Sequence, residues 1–440
     1  MKEVKIGLIG YGTIGQGVVK LLRENQKEIQ ARIGAKLVLV GVVDKDWKRP
    51  RKVSLPKGLR LNSAYQLIHH PEVDIIIELV GDFPGVKDII IDSLKAKKPV
   101  VSANKAILSK YGKEIFAVAK KYHTSIYFEA SVGGGIPIIR VLKEGLCANH
   151  IQAIYGIVNG TCNYILTQME DAHLEYKSAL KQAQQNGYAE ADPSADVEGL
   201  DSAHKLSILL QLGFGLNVPL EKIFRKGISR LSGLDLQAGY ELGYKIKLLA
   251  IARRVGNKLE ARVHPTLVPK DSLLANVKGV YNAIYVVGDF VGPTLYYGQG
   301  AGMLPTASAV VSDLMELARN LLQNKNPIWT NPEGYEKSNP ENLKIEPIDN
   351  LISPYYLRVW VKDQPGVLAK ISGILARYKI SISSVIQHEV REGDSVPLVI
   401  ITHQALERSV QKAVKEINQL KMALNPVQLI RIASELEKKN

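Results

Sequence analysis

The sequence predicts an α/β chain in three parts: a doubly wound first domain, a second domain with a mixed sheet covered by helices, and a small βαββαβ tail. Three observations carry that expectation. A glycine-rich turn near the N-terminus stands between a strand-like run and a helix-like run. Strand-period and helix-period segments then alternate in single file to Phe128, as a parallel sheet requires. After a stretch rich in proline, asparagine and charge, residues 350–435 begin a second, shorter alternation. A length of 440 residues accommodates two or three cores of ordinary size.

Val4 to Ile9 is an apolar strand, and Gly10-Tyr-Gly12-Thr13-Ile14-Gly15 follows it directly. The next residues, from Gly17 to Leu22, have helical apolar spacing. A G-x-G-x-x-G turn leaving a strand and opening a helix is a dinucleotide fingerprint. Gly10 permits the tight turn, Gly12 admits a pyrophosphate close to the backbone, and Gly15 lets the helix pack on the strand. A second strand, Leu37 to Val43, ends in Asp44, where an acid meets the ribose hydroxyls. Its distance from Gly15 requires an extended first helix or a loop around Gln30 to Gly34. Lys45, Lys48, Arg49 and Arg51 come next and suit a 2′-phosphate, so the choice between NAD and NADP stays open. Asp74 to Val80, Val86 to Ala96, Pro99 to Ser102, Lys105 to Tyr122 and Ser125 to Phe128 continue the alternation. The expectation is a Rossmann-type domain. Lys105 stands at the carboxyl end of a strand, the edge where such sheets bind ligands.

Glu129-Ala-Ser-Val-Gly-Gly-Gly-Ile-Pro137 forces a tight loop. From the residues alone it is a hinge, or a cradle of carbonyls and one carboxylate for a monovalent cation. Further on, Glu190 precedes Asp201 and Lys205, which lie at i and i+4. In a helix these two share a face. They read as a solvated ion pair or as an ammonium held beside acids, ready to protonate a carbonyl oxygen. Leu234 to Val255 is expected as one helix. Strands are expected near Leu259 to Leu267, Gly279 to Val287 and Pro293 to Gly298, in a frame that dimerises through sheet edges. Thr306 to Leu322 is expected to return to the first domain. In the tail, Tyr355 to Val361, Ile380 to His388, Val396 to Thr402 and Ala423 to Ile432 read as strands. Helices end at Tyr378 and run near Ala405 to Leu420.

The net charge of +14 is spread along the chain without a nucleic-acid-binding motif, so surface solvation or attraction of small anions is the better reading. Two cysteines make no disulfide framework. No signal peptide and no membrane span are expected, and the expected location is the cytoplasm.

Ser102-Ala-Asn-Lys105, Phe128 to Pro137, Gly156-Ile-Val-Asn-Gly-Thr-Cys-Asn-Tyr164, Gly187-Tyr-Ala-Glu-Ala-Asp-Pro193 and Val197-Glu-Gly-Leu-Asp-Ser-Ala-His-Lys205 resemble homoserine dehydrogenases. The tail, with Asp363-Gln-Pro-Gly-Val-Leu368, resembles an ACT domain. The resemblance implies reversible NAD(P)H-dependent reduction of L-aspartate 4-semialdehyde to L-homoserine, on the route to threonine, isoleucine and methionine. It implies Lys205 as proton donor, Lys105 flanking cofactor and substrate, and Glu190 and Asp201 binding substrate. Gly187 and Gly302 join Gly10, Gly12, Thr13, Ile14, Gly15, Asp44 and Lys105 in the cofactor cleft. Glu129, Val132, Gly134 and Ile136 look like a sodium site. It further implies a homodimer or higher oligomer, and threonine as effector of the ACT-like tail. Domains are expected as follows: 1–135 Rossmann-type, completed by a returning helix at about 306–325; 136–305 catalytic and dimerising; 326–349 linker; 350–435 ACT-like. Two rivals compete with this reading. One is a phosphorylating semialdehyde dehydrogenase with Cys162 as nucleophile, and the other a sensor without catalysis.

Overall fold

The computed structural model describes residues 2–81, 83–323, 334–335, 339–387 and 395–436. Its first stretch is β1 (Lys2–Ile9), α1 (Thr13–Glu24), α2 (Gln26–Ile33), β2 (Ala35–Val43), β3 (Arg60–Leu61), α3 (Ala64–Ile68) and β4 (Ile75–Glu78). There follow α4 (Val86–Lys95), β5 (Val100–Ser102), α5 (Lys105–Lys121), β6 (Ile126–Tyr127) and the short α6 (Ile138–Arg140). Strands β1 to β6 all pair in parallel in the order β3-β2-β1-β4-β5-β6. The order reverses between β1 and β4, the crevice where a doubly wound sheet receives a dinucleotide. The long spacing to Asp44 is taken up by α2, which Gly34 closes in the left-handed conformation (φ 71°).

The middle of the chain gives β7 (Ile151–Ile157), α7 (Gly160–Asp171), α8 (Tyr176–Gln185), α9 (Ser194–Val197), α10 (Leu200–Phe214), β8 (Phe224–Arg225) and α11 (Gly233–Glu241). Then come β9 (Tyr244–Val255), β10 (Lys258–Pro269), β11 (Tyr281–Gly288), β12 (Gly292–Gln299) and α12 (Met303–Leu322). The tail holds β13 (Lys344–Glu346), β14 (Ile352–Ser353), β15 (Tyr355–Lys362), α13 (Val367–Arg377) and β16 (Ile382–Gln387). It ends with β17 (Ser395–Thr402), β18 (Ala405–Leu406), α14 (Glu407–Ile417) and β19 (Gln428–Ile432).

The helix expected over Leu234 to Val255 is two elements. Gly243, at φ 88°, ends α11, and Tyr244 onward is strand β9. It pairs antiparallel with β10 over its full length, from Tyr244↔Pro269 to Val255↔Lys258. Gly256 (φ 61°) and Asn257 supply the two-residue turn. The run Ile246 to Ala252 is buried at every position, so it carries no period by which to tell strand from helix. In the tail, β19 begins later than expected, at Gln428, and Ala423 makes only an isolated bridge to Val361. His388 and much of the span 326–338 lie outside the described residues.

The chain forms two compact units. One takes in the described residues of Met1–Ala153, His204–Leu220 and Asn282–Leu343; the other those of Ile154–Ala203, Glu221–Tyr281 and Lys344–Asn440. In the first, α12 lays Ala307, Val310, Val311, Leu314 and Leu317 into one core with Ile6, Leu8, Val18, Val19 and Ile77. Gly17 makes that approach possible, since a Cβ there would stand 2.7 Å from the Met303 carbonyl oxygen.

In the second unit the ACT-like tail is continuous with the β9-β10 hairpin. Strand β19 pairs parallel with β10 through Thr266↔Arg431 and Leu267↔Ile432, and the strand order runs β9-β10-β19-β15-β17-β16. β13, from the span expected as linker, also pairs with β10. The tail has its own apolar core, including Tyr355, Leu357, Ile371, Ile374, Ile400 and Val410. Arg358 crosses to Asp235 in α11 with two bonds of 2.7 and 3.0 Å, and the Tyr356 hydroxyl donates to the same carboxylate at 3.1 Å. Asp235 is fully buried.

Candidate active site

The fingerprint glycines occupy the positions their chemistry demands. Gly10 sits at φ 99°, and a Cβ on it would lie 2.5 Å from the Leu79 carbonyl oxygen. A Cβ on Gly15 would lie 2.2 Å from the Gly10 carbonyl oxygen, so only glycine lets α1 approach β1. Gly12 caps α1 and faces open space, leaving the first N–H groups of the helix accessible to an anion. A cavity of about 650 Å³ runs along this turn, lined by Gly10, Gly12, Thr13, Asp44, Arg49 and Arg51 among others. A nicotinamide dinucleotide fits this cradle in shape and in donor chemistry.

Asp44, at the end of β2, is already held. It accepts from Tyr11 N–H (2.7 Å) and Asp46 N–H (2.9 Å) and pairs with Arg51 at 3.0 Å. Burial pushes its carboxyl up, but those two N–H groups and the guanidinium outweigh it and hold the group below the usual carboxylate range. The Arg51 guanidinium stacks over Tyr11 and Trp47, with its carbon 5.2 and 5.1 Å from the ring centroids. Its Nη1 is buried without a hydrogen-bond partner.

A second cavity, about 270 Å³, adjoins the first at Leu79, which lines both. Ile14, Lys105, Gly134, Lys205 and Gly302 meet there. Lys205 lies on α10 and is 8% exposed, while Lys105 opens α5. Two ammonium-bearing side chains around one small hollow form a place where negative charge on oxygen would be stabilised. The cavity also includes Glu78 and Ser131, which the sequence did not single out. Both are buried, and the Ser131 hydroxyl has no hydrogen-bond partner. Their only signal in the sequence is position: one at a strand end, the other in the glycine loop.

Gly187, expected in the cofactor cleft, and the expected substrate residues Glu190 and Asp201 belong to the second unit. Gly187, at φ 75°, and Glu190 stand on the exposed loop after α8. Asp201 begins α10 one turn before Lys205 and is 6% exposed. It accepts from Asn159 Nδ2 at 2.9 Å. Asn159 also donates to Asp196 (2.7 Å), and its Oδ1 caps α7 at the N–H of Cys162 (2.8 Å). In the sequence Asn159-Gly160 shows only as a turn. Cys162 is fully buried, and its thiol donates to the Asp196 carbonyl (3.2 Å), so it does not present the exposed nucleophile that the rival aldehyde chemistry needs.

In the glycine loop, Gly133 and Gly134 have φ of 75° and 56°. A Cβ on Gly134 would lie 2.5 Å from the Gly300 carbonyl. The Glu129 carboxylate accepts from Ile139 N–H (2.8 Å) and Arg140 N–H (2.9 Å), and its own N–H donates to Asp313 (2.8 Å). Burial raises both carboxyls, and the charge of Glu129 raises Asp313 further. Ile136 gives its carbonyl to Ile138 N–H at 2.8 Å. The Glu129 carboxylate thus braces α6, and a cation here would draw on main-chain oxygens. Among the described residues no cluster of three or more His, Cys, Asp or Glu is placed to hold a metal.

Family models match the chain in three segments. Residues 10–129 match the NAD-binding domain of homoserine dehydrogenase, 137–315 match homoserine dehydrogenase, and 355–421 match the ACT domain. A homoserine dehydrogenase from Neisseria gonorrhoeae is 41% identical over 434 residues, covering 99% of each chain. The chain belongs to the homoserine dehydrogenase family. The Bacillus subtilis enzyme is 41% identical over 424 residues, with 96% of each chain covered. The crystal structure of a homoserine dehydrogenase from Thiobacillus denitrificans superposes with a TM-score of 0.88, at 41% identity and 98% coverage of both chains. The family's members are oxidoreductases, and the glycine turn, Lys105 and Lys205 fall within the matched segments. Among the described residues no helix is long and apolar enough to cross a membrane.

Proposed function

We propose that Lys205 is the proton donor in the reduction of L-aspartate 4-semialdehyde to L-homoserine. The observation that supports this reading best is the meeting of Lys105 and Lys205 around a small hollow that adjoins the dinucleotide cradle. The Gly10 to Gly15 turn would hold a nicotinamide cofactor, which would supply the hydride to the aldehyde carbon. As charge develops on the aldehyde oxygen, the Lys205 ammonium stabilises it and gives up a proton. Lys105 adds a second positive charge and stands beside the cofactor. Asp201, fixed by Asn159, orients the lysine one turn along α10, and Glu190 takes the ammonium end of the substrate.

Arg51 favours NADP as a substrate cofactor alongside NAD. It neutralises Asp44 and lines a cavity shared with Lys45, Arg49 and Lys52, whose positive charges suit a 2′-phosphate. A sodium ion would be held at Glu129, Val132, Gly134 and Ile136, mostly through main-chain oxygens. The ACT-like tail binds an amino-acid end product, threonine being the candidate, and the enzyme works as a homodimer or larger homo-oligomer in the cytoplasmic branch leading to threonine, isoleucine and methionine.

The test follows NADPH and NADH oxidation with L-aspartate semialdehyde in sodium or potassium buffer, with and without threonine. Lys205→Ala is expected to lower kcat by about 10²–10⁴-fold, the span usual for a general acid. A folded, cofactor-binding variant with undiminished kcat would remove Lys205 from this role. Threonine that leaves both rate and thermal stability unchanged would remove it as effector.

A further inference from the structure

The hollow around Lys105 and Lys205 contains a carboxyl group that the proposed chemistry does not use. Glu78 ends β4 opposite Ser102, the last residue of β5, in parallel register. Both side chains are fully buried. One Glu78 oxygen accepts from Val80 N–H (2.7 Å) and the other from the Ser102 hydroxyl (2.6 Å). The same hydroxyl accepts from Asn104 N–H at 3.1 Å. Asn104 then works in two directions. Its Nδ2 donates to the Gly81 carbonyl (2.6 Å), and its Oδ1 caps α5 at Ile107 N–H (3.1 Å). Lys105 is the first residue of that helix.

These bonds stitch two strand-end loops together at the place where both reach the hollow. Glu78, Leu79 and Gly81 line it from one strand end, and Ala103, Asn104 and Lys105 from the other. A surface lysine needs no such scaffold. A buried carboxyl without this work to do would be a liability, because its charged form is desolvated and must be matched by donors. Here burial raises the Glu78 carboxyl, while Ser102, Val80 and Asn104 act against that rise.

We propose that Glu78, Ser102 and Asn104 are positioning residues for Lys105, setting the angle at which its side chain enters the hollow. The inference rests on the reading of Lys105 as a group that acts there. It predicts a loss of turnover without a matching loss of cofactor binding, since the glycine cradle is untouched. It also predicts that the loss runs through Lys105.

The experiment is a double-mutant cycle in the full-length enzyme, measuring kcat, NADPH affinity by fluorescence and the melting temperature. Ser102→Ala is expected to lower kcat by about tenfold or more, as misplacement of a catalytic group by a fraction of an ångström does. NADPH affinity should stay within about twofold, and in a Lys105→Ala background Ser102→Ala should cost less than about twofold more. Glu78→Gln keeps an acceptor for Val80 and offers an amide to Ser102, so it should lose clearly less kcat than Glu78→Ala. Wild-type kcat in Ser102→Ala, or an undiminished further loss in the Lys105→Ala background, overturns the inference. Equal losses in Glu78→Gln and Glu78→Ala overturn it too, by showing that the carboxyl acts through its own charge or proton. Full turnover in Lys105→Ala alone would remove the reading of Lys105 and the inference with it; normal Ser102→Ala beside an impaired Lys105→Ala removes the inference only.

Discussion

Arg51 governs how the acid at the end of β2 behaves. Seen in sequence, Asp44 and the basic residues after it pull toward different cofactors. In the fold they are one arrangement, because the guanidinium pairs with the acid and stacks on two rings. Arg51→Ala should raise KM for NADPH by about tenfold or more, the value of one charge-assisted bond to phosphate, and change KM for NADH far less. Equal rises for both cofactors would show that Arg51 supports the cavity wall and does not read the phosphate. His264 makes a different point at the same scale. It is fully buried on β10, with Thr266 Oγ1 and the Pro265 carbonyl each 3.0 Å from its Nδ1. Burial, then Arg431, Arg262 and Lys226, hold it neutral, well below the usual histidine range. The unfolded chain takes up this proton below about pH 6.5 and the folded chain does not, so stability falls as pH drops through that value. The slope from this group approaches about 1.4 kcal/mol per pH unit, and His264→Gln should flatten it between pH 6.5 and 5. Melting curves with the same slope in both proteins would refute the assignment.

The glycine loop before α6 is legible as a tight element, though not as the particular one it forms. Its glycines are needed twice over, for positive φ at Gly133 and Gly134 and for the approach of Gly134 to the Gly300 carbonyl. Gly134→Ala should cost about 1–3 kcal/mol from backbone strain alone and lower kcat by displacing the wall of the hollow. A variant with wild-type melting and kcat would mean that the loop gives way freely. The β9 strand shows where periodicity fails. A segment buried on both faces has no in-out alternation to mark its repeat, and one lysine, Lys247, is buried with it, so Ile246 to Ala252 suited a helix as well as a strand. The partner that decides the matter is β10, and sequence alone does not show that pairing.

For the whole molecule, the tail is the main surprise. ACT-like modules can hang on linkers, but here β19 continues the sheet from β10, and Asp235 ties the tail's β15 to α11. Asp235→Ala would leave Arg358 buried without its counterion and should destabilise the protein by about 3–5 kcal/mol, read from the midpoint of urea unfolding. If the tail instead unfolds in a separate early step with the main midpoint unchanged, the two parts are less coupled than the shared sheet implies. An effector bound to the tail would act on the same continuous sheet that carries β9 and β10.

The sequence by itself determined the dinucleotide turn and the alternation of strands and helices in the first domain, apart from the short β3 and α3, and it singled out the two lysines of the proposed chemistry. Those features are local: glycines at fixed spacing, a strand that ends in an acid, a helix that puts Lys205 one turn beyond Asp201. Tertiary structure alone decided that Glu78 and Ser131 face the same hollow as Lys105, that Asn159 holds Asp201, and that the tail shares a sheet with β10. Each of these joins residues far apart in the chain through burial and hydrogen-bond geometry, and neither quantity has a period or spacing that a sequence can display.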